Sequence, residues 1–440
     1  MSTLSLKPTF KGGIHPPDSK FTREKEIKKL VPTGHLIIPL SQHIGAAAEP
    51  IVEEGDKVKR GQKIGEAQGF VSSPVHASTS GEVVGIGPFP HPSGNQVTGI
   101  RIAPDGEDEE VEYSGNDPDK LSGDETREKI QEAGIVGMGG AAFPTHVKLS
   151  PPEDKNIDTL IINGAECEPY LTADYRLMLE EPEAVVNGTQ LIADLLEVDK
   201  VFIGIEDNKP EATEIMNQYS GETIEVVELT TKYPQGWEKT LIHALTGREV
   251  PVDGLPLDVG VVVQNVGTVK AVWDAIKFGK PLTERVVTAT GEISKQGNYS
   301  VRIGTRWEAL VSQLGGIAEG NTAKLIDGGP MMGDTQPGLE TPIVKSSSGV
   351  LALSNLEAIE RDPSPCIRCG KCVDVCPANL LPTSIYKAVE SGNIDQAEEL
   401  NATACCECGS CTYVCPSEIP LVQWIVQGKG EINMREEEEA

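Results

Sequence analysis

Two cysteine runs near the C-terminus constrain this chain more than any other feature. Each run has gaps of two, two and three residues and is followed directly by proline. The runs are Cys366, Cys369, Cys372 and Cys376, then Cys405, Cys408, Cys411 and Cys415. This spacing is typical of [4Fe–4S] cluster binding, because short gaps let several thiolates converge on one iron–sulfur cube. A zinc site would normally use two separated pairs, and a disulfide framework does not fit such a long cysteine-poor remainder.

The doubling of the run predicts how the ligands are shared. In two-cluster ferredoxins the fourth cysteine of each run ligates the other cluster. We therefore expect one cluster on Cys366, Cys369, Cys372 and Cys415, and a second on Cys405, Cys408, Cys411 and Cys376. The segment between the runs, 384–400, predicts two helices broken at 391–392. The pattern indicates a helical ferredoxin-like module over 350–428 that carries single electrons between two neighbouring clusters.

Length and charge limit the remaining function classes. A chain of 440 residues predicts about three domains. The formal net charge of −29 argues against nucleic-acid binding and against direct adsorption to anionic lipid. No run approaches the roughly 20 apolar residues that span a bilayer, and the first residues lack the apolar core of a signal peptide. We expect a cytoplasmic protein that meets a membrane only through partners. We also expect an extended segment over 1–33 and an acidic tail over 429–440 that is disordered at 435–440.

The region before the cysteine runs divides into three parts. Residues 34–110 predict short strands separated by turn glycines, and the pattern resembles the barrel-sandwich hybrid of lipoyl and biotinyl carriers. The hairpin at 65–74 lacks the carrier lysine, which favours a scaffold role. Residues 120–270 alternate helices with apolar strands at 158–162, 201–205, 223–229 and 259–263, which predicts a mostly parallel sheet. Residues 280–320 predict a small β-rich unit with one helix at 305–314, followed by a glycine- and serine-rich connector.

The α/β region contains a glycine loop with Gly137, Gly139 and Gly140 ahead of Phe143. Small residues let a backbone approach a phosphate or a flat ring, with N–H groups left to bind oxyanions. The loop follows a helix and lacks a third glycine, so it is not a Rossmann dinucleotide fingerprint. A purely structural turn remains the alternative.

A second polar segment, with Asn163, Glu166 and Glu168, directly follows a buried strand. Parallel sheets bind ligands at the carboxyl ends of their strands. Two carboxylates and an amide at that edge can bond ribose and ring heteroatoms. A capped turn ahead of the next helix is the alternative.

These two segments resemble the flavin- and NADH-binding subunit of respiratory complex I, and the whole chain is similar to the RnfC/RsxC family of the Rnf ion-translocating electron-transport complex. The shared motifs lie at 10–17, 42–45, 137–144, 163–169, 233–236 and 264–268 and at both cysteine runs. The resemblance implies a multidomain α/β chain. Its parts would be a barrel-sandwich hybrid, a Rossmann-like FMN- and NADH-binding domain, a soluble-ligand-binding β-grasp domain and a helical module with two [4Fe–4S] clusters.

The resemblance also implies noncovalently bound FMN and a set of site residues. Phe143 would stack on nicotinamide or adenine, and Glu168 would reach NADH. Ala165 and Met138 depart from the complex I pattern, which has Asp and Arg there, and this weakens the transfer of individual contacts. The implied flavin contacts are Gly137, Gly139, Gly140, Lys148, Asn163, Glu166 and Asn265.

The function implied is that of a peripheral component of an ion-translocating ferredoxin:NAD+ oxidoreductase, on the cytoplasmic side of the cell membrane. It would pass electrons between NAD(H), FMN and the two clusters and bind membrane and iron–sulfur subunits. A flavin/iron–sulfur cobalamin reductase of a propanediol-utilisation microcompartment and a non-catalytic electron-relay scaffold remain alternatives. Cys167 and Cys406 lie outside the runs and are expected to be packing residues, and the glutamates flanking Cys167 should raise its pKa.

Overall fold

The computed structural model describes residues 7–318, 320–358 and 361–439. Residues 1–6 of the predicted extended segment, and Ala440 of the predicted tail, lie outside the described residues. Within 7–33 the chain is largely extended and forms one short strand, β1 (Ile27–Lys29). Before β1, Ile14 forms an isolated antiparallel β-bridge with Tyr233, and the Gly13 amide donates to the Val375 carbonyl at 2.8 Å. The segment therefore connects units that are far apart in sequence.

The next unit is all-β, as predicted for this part of the chain. Its strands form two small sheets, ordered β2-β8-β7-β4 and β3-β5-β6, around an apolar core that includes Leu36, Ile64 and Ile100. The strands are β2 (Leu36–Pro39), β3 (Glu49–Pro50), β4 (Lys57–Val58), β5 (Lys63–Glu66), β6 (Val75–His76), β7 (Gly81–Pro90) and β8 (Gln96–Pro104).

The predicted α/β region folds as an all-parallel sheet ordered β11-β10-β9-β12. Alternate strand residues feed two apolar layers: Ile162 and Val262 lie in one, and Ile161 and Val263 in the other. The elements are α1 (Gly123–Glu132), α2 (Thr145–Lys148), β9 (Thr159–Asn163), α3 (Ala173–Glu180), α4 (Pro182–Leu196), β10 (Lys200–Glu206), α5 (Pro210–Tyr219), β11 (Glu225–Leu229), α6 (Glu238–Thr246), β12 (Val261–Asn265) and α7 (Val266–Phe278).

One residue both ends β12 and begins α7. β12 is a run of β-branched residues, which suits a strand buried on both faces. The Asn265 side chain accepts a hydrogen bond from the Gly267 amide and so caps the first turn of α7. The helix ends at Gly279, whose φ of +69° suits a glycine. The local sequence thus fixes Asn265 at the carboxyl edge of the sheet.

The β-grasp unit is larger than the predicted 280–320. Its sheet is ordered β1-β14-β13-β17-β15-β16, so three strands come from the predicted connector and one from the N-terminal segment. The glycine and serine residues of the connector hide the strand pattern of β15, β16 and β17 in the sequence. The β1 strand could not be assigned to this sheet from local sequence, because it pairs with residues of β14 about 270 positions away. The elements are β13 (Glu284–Gly291), β14 (Gly297–Arg302), α8 (Trp307–Gln313), β15 (Thr322–Asp327), β16 (Asp334–Gln336) and β17 (Gly349–Ser354).

The C-terminal unit is helical and has the predicted break between its two central helices. The prediction of a disordered tail is wrong, because the last helix continues to Glu439. Ile425 and Ile432 on that helix are buried, and Arg435 pairs with Asp395 at 2.7 Å. The helices are α9 (Lys371–Asp374), α10 (Pro382–Glu390), α11 (Ile394–Glu399), α12 (Ser410–Tyr413) and α13 (Leu421–Glu439).

A buried lysine joins three of the four units. Lys345, which precedes β17, donates from Nζ to the carbonyls of Pro74 in the β unit (2.9 Å) and Gly134 in the α/β unit (2.8 Å). Burial lowers its pKa to about 7. The unfolded chain keeps this proton up to about pH 10, so between about pH 7 and 10 the unfolded state binds more protons than the folded state. Here the folded pKa is the lower one, so stability should rise with pH between about 7 and 10.

Replacing Lys345 with methionine should flatten that part of the pH profile. At pH 9 we expect the variant to be less stable by about 1–3 kcal/mol, because two buried carbonyls lose their donor. Denaturant unfolding at pH 7, 8.5 and 10 measures both effects, with the exposed Lys57→Met as the matched control. Parallel pH profiles for wild type and Lys345→Met would contradict this account.

Candidate functional site

The order of the parallel sheet marks one place for a ligand. The chain moves from β9 through β10 to β11 on one side, then crosses back to place β12 on the other side of β9. Ligands of open parallel sheets bind at such a reversal, beyond the carboxyl ends of the strands. β9 and β12 end there at Asn163 and Asn265, which are direct register partners.

The glycine loop lies against this edge. A Cβ added to Gly139 would lie 3.0 Å from the Cβ of Asn265. The loop is closed by the Gly137 amide, which donates to the Phe143 carbonyl at 2.8 Å. It is attached to the first turn of α7, where Thr268 Oγ1 accepts from the Met138 amide at 2.9 Å. The loop and both asparagines therefore border one crevice.

The exposed part of the loop has free hydrogen-bond donors. Gly139, Gly140 and Ala141 are exposed, and among the described residues no acceptor is found for their amide N–H groups. Successive unpaired amides form a concavity that binds anionic oxygens. The side chain of Gln235, fully buried near the same strand end, also has both polar atoms unpartnered. These donors fit a phosphate or a flavin ring carbonyl.

The acidic segment is shaped by its own side chains. Asn163 donates from Nδ2 to the Gly236 carbonyl at 2.8 Å and accepts from the Ala165 amide at 3.1 Å. The Glu166 carboxylate accepts from the amides of Asp174 (2.7 Å) and Tyr175 (3.2 Å) at the start of α3. Both side chains thus order the loop around the crevice, which is the role that a capped turn ahead of α3 would give them. A flavin contact from Glu166 would have to use the lone pairs of its carboxylate that remain free.

Glu168 is held by a turn of the β-grasp unit. Its carboxylate accepts from the amides of Met332 at 2.8 Å and Met331 at 3.1 Å, in the turn between β15 and β16. Removal from water raises its pKa to about 7, against the opposing effect of the two amide donors. In this conformation the carboxylate binds the β-grasp unit, and the predicted contact with NADH would require it to leave that turn.

Lys148 and Phe143 flank the loop on its helical side. Lys148 forms an ion pair with Glu238 at the start of α6. A flavin contact from Lys148 would require that pair to open. The side chain of Phe143 is partly exposed beside the crevice, where an aromatic ring can stack on a flat ligand.

Two buried lysines that the sequence pattern did not reveal hold the acidic segment in place. Lys20 Nζ donates to the carbonyls of Glu166 (2.7 Å), Glu168 (2.9 Å) and Leu171 (2.6 Å). Lys209 Nζ donates to the Ala165 carbonyl at 2.6 Å and to the Glu206 carboxylate at 3.2 Å. Both are isolated lysines in loops and belong to no motif, so only the folded chain identifies them.

The two cysteines outside the runs, Cys167 and Cys406, pack against the cluster of Ile14, Tyr233 and Cys408. Burial, and then the charges of Glu206 and Glu168, raise the pKa of the Cys167 thiol, so it is a poor nucleophile. The direction is as predicted, although burial contributes more than the neighbouring glutamates. Cys406 shares a thiol hydrogen bond with Cys408, which raises the pKa of Cys406 and lowers that of Cys408.

One group of run cysteines lines a surface cavity of about 280 Å³. It combines three cysteines of the first run with the last cysteine of the second, which is the grouping that the doubled pattern predicts. Cys369 is exposed at this cavity, and Ile367 beside it is 68% exposed. We name these four residues the outer set: Cys366, Cys369, Cys372 and Cys415.

The other four cysteines are more deeply placed. Burial raises the pKa of the thiols of Cys376, Cys405 and Cys411, to about 11 for Cys405 and about 12 for Cys411. The charge of the nearby Cys408 raises all three pKa values further. We name Cys376, Cys405, Cys408 and Cys411 the inner set. No three His, Cys, Asp or Glu side chains in the described part of the chain converge tightly enough to hold a single metal ion. A cube fits wider spacing, because each thiolate binds a different iron.

The inner set lies against the α/β unit. Tyr233, which is 1% exposed, packs between Cys408 and Ile14, with Cys167 and Met331 around it. Three residues after Tyr233 in the chain, the Gly236 carbonyl accepts a hydrogen bond from the Asn163 side chain at the crevice. A continuous layer of packed residues therefore connects the crevice to the inner set, while the outer set opens at the surface.

Comparison with known families agrees with this division into units. Four family models match: the RnfC barrel sandwich hybrid domain over 8–107, the Nuo51 FMN-binding domain over 130–274, the SLBB domain over 286–335 and a 4Fe–4S dicluster domain over 358–417. The sheet unit with the crevice is thus an FMN-binding domain, and the helical unit with both cysteine sets is a dicluster domain.

Similar proteins extend over nearly the whole chain. A Clostridium ljungdahlii protein, a component of a proton-translocating ferredoxin:NAD(+) oxidoreductase complex, is 50% identical and covers 89% of this chain and 86% of its own. The corresponding component of a Na(+)-translocating complex of Acetobacterium woodii is 46% identical, covering 90% of both chains. This chain belongs to the same RnfC family. A Rhodobacter capsulatus member, from an ion-translocating oxidoreductase complex, is 44% identical and covers 97% of this chain and 84% of its own.

RnfC family membership agrees with the predicted fold and cofactors. The predicted barrel-sandwich, FMN-binding, β-grasp and two-cluster domains are all confirmed. Within the described residues, every helix is too short or too polar to span a bilayer.

Proposed function

We propose that this chain passes electrons between NAD(H), FMN and two [4Fe–4S] clusters as part of an ion-translocating ferredoxin:NAD+ oxidoreductase complex. The observation that carries the proposal is the packing of the inner cysteine set, through Tyr233, against the unit that holds the crevice. The RnfC relatives favour this function over a cobalamin reductase.

The crevice offers FMN a set of fixed donors. The free amides at Gly139 and Gly140 would bind an anionic or carbonyl oxygen, while Asn163 and Asn265 border the ring at the strand ends. Gly137 closes the loop that presents those amides. When bound, FMN supplies the exchange between hydride transfer and single-electron transfer that NAD(H) and the clusters require. Phe143 and Glu168 are the proposed NADH contacts, and Glu166 and Lys148 are proposed to complete the flavin site.

The cysteine sets give the electrons an order of travel. The inner set would hold the cluster that exchanges electrons with the flavin, because it packs against the FMN-binding unit. The outer set would hold the cluster that meets a partner, since its cavity opens at the surface. Each cluster would take ligands from both runs.

The surface around the cavity of the outer set is proposed to bind an acidic iron–sulfur subunit. Arg368, Lys371 and Lys387 line the cavity of the outer set and are exposed, in a chain with a net charge of −29. Within the described residues, none of the three forms an ion pair. Basic side chains around an apolar centre at Ile367 suit a transient acidic partner. Membrane subunits of the complex would then hold the chain at the cytoplasmic side of the cell membrane.

Replacing Gly139 with valine tests the flavin part of the proposal. The new side chain would press on Asn265 and narrow the crevice, so FMN affinity should fall at least about tenfold, equivalent to about 1.4 kcal/mol. Quenching of FMN fluorescence during titration measures the affinity. Gly338→Val, at a glycine with open space around it, is the matched control. A wild-type protein with intact clusters that binds no FMN would refute the proposal and favour the relay scaffold.

A further inference from the structure

A buried arginine reaches the glycine loop from a different domain. Arg285 is the second residue of β13 in the β-grasp sheet and is 3% exposed. One terminal nitrogen of its guanidinium donates to the Met138 carbonyl at 2.7 Å. The β-grasp domain therefore contacts the loop that presents the free amides of the flavin crevice.

Arg285 and Thr268 hold the same loop residue from opposite sides. Thr268 Oγ1 accepts from the Met138 amide at 2.9 Å, while Arg285 donates to the Met138 carbonyl. Both polar groups of this residue are thus fixed by side chains. Because the Met138 carbonyl belongs to the peptide that carries the Gly139 amide, fixing it also fixes the direction of that free donor.

The guanidinium also reaches the start of α7. Its other terminal nitrogen lies 3.2 Å from the position that a Cβ of Gly267 would occupy, and that position is 3.0 Å from Asn265 Oδ1. The Nε atom is buried and has no hydrogen-bond partner among the described residues. One cation thus borders both the loop and the asparagine that face the crevice.

Arg285 also offsets the charge of partly buried acids. Burial and the nearby Glu166 raise the pKa of Asp174 to about 6, and the charge of Arg285 opposes this rise. Asp174 in turn accepts from Asn265 Nδ2 at 2.7 Å. Burial also raises the pKa of Asp327, which Arg285 opposes as well. Removing the cation alone would leave these partly buried carboxylates without that compensation.

We infer that Arg285 is a positioning residue for the flavin site, supplied by the β-grasp domain. It orients the Gly139 amide toward the crevice and places a buried positive charge beside it, which favours the more anionic, reduced form of bound flavin. This inference rests on the proposed function. It assigns the β-grasp domain a part in flavin chemistry that does not require a ligand of its own.

The test uses the full chain reconstituted with clusters and FMN. Arg285→Met should bind FMN about tenfold more weakly, since it loses a charged hydrogen bond to the loop, and should lower the flavin midpoint potential. Arg285→Lys keeps the charge without the forked geometry, so it should restore the potential more fully than the affinity. Thr268→Val removes the other support of Met138 without a charge change and should weaken binding while leaving the potential near that of wild type.

The variants also separate this inference from the proposed function. If Arg285→Met is unstable, Arg285→Met with Asp174→Asn removes one charge of each sign. This double variant should still bind FMN about tenfold more weakly, because the Met138 carbonyl has lost its donor, and its potential should lie between those of Arg285→Met and wild type. If wild type binds FMN normally and the Arg285 variants have the same FMN affinity and flavin midpoint potential as wild type, this inference is overturned and the proposed function is not. Failure of wild type to bind FMN would instead overturn the proposed function.

Discussion

A Cys415→Ala variant is expected to lose the same cluster as a Cys369→Ala variant, although the two cysteines belong to different runs. Both line the cavity of the outer set. Removing one of four thiolate ligands from such an exposed site should release the cluster, so the iron content should fall by about half. The inner set should keep its cluster, because its four thiols are untouched.

Iron analysis and EPR spectra of the reduced variants test this grouping. Cys415→Ala and Cys369→Ala should leave one identical residual spectrum, and Cys376→Ala and Cys408→Ala should leave another. Cys167→Ala, at a half-buried thiol outside both sets, should keep the full iron content. The grouping is wrong if Cys415→Ala shares its residual spectrum with Cys408→Ala.

A Cys376→Ala variant should stop NADH-driven electron flow to the outer cluster. The inner set is the one that packs toward the unit with the crevice, since Tyr233 contacts Cys408. Without the inner cluster, electrons from a reduced flavin have no intermediate acceptor. Flavin reduction by NADH should therefore remain, while reduction of the surviving cluster should fall to background.

Cys415→Ala is the matched variant for this prediction. It should keep rapid NADH-driven reduction of the inner cluster but lose transfer to an external protein acceptor. Stopped-flow absorbance for the flavin and freeze-quenched EPR for the clusters follow the two steps separately. Rapid reduction of the outer cluster by NADH in Cys376→Ala would show that the order of the sets is reversed.

Much of the architecture could be predicted because its signals are local. The cysteine spacing, the turn glycines of the β unit and the apolar strands of the α/β unit each lie within short segments. The break between α10 and α11 falls at the predicted Ser391–Gly392 pair, after Glu390. The end of α13 was predicted to be disordered because of its glutamate run, although buried Ile425 and Ile432 hold the preceding turns of the helix.

The parts that could not be predicted depend on long-range contacts. The β-grasp sheet takes β1 from near the N-terminus, and Arg285 reaches Met138 across a domain boundary. No local sequence pattern predicts either contact. The engagement of Glu168 with the Met331–Met332 turn is likewise a tertiary contact, and it leaves the predicted role of that carboxylate toward NADH a proposal.

An anaerobic NADH titration of the reconstituted wild-type protein tests the central claim most directly. The claim is that one chain transfers electrons from NADH through FMN to an inner and then an outer cluster. We predict that NADH bleaches the flavin absorbance and produces the EPR signals of both reduced clusters, in that order. Flavin bleaching with both clusters still oxidised, although dithionite reduces them, would contradict the account.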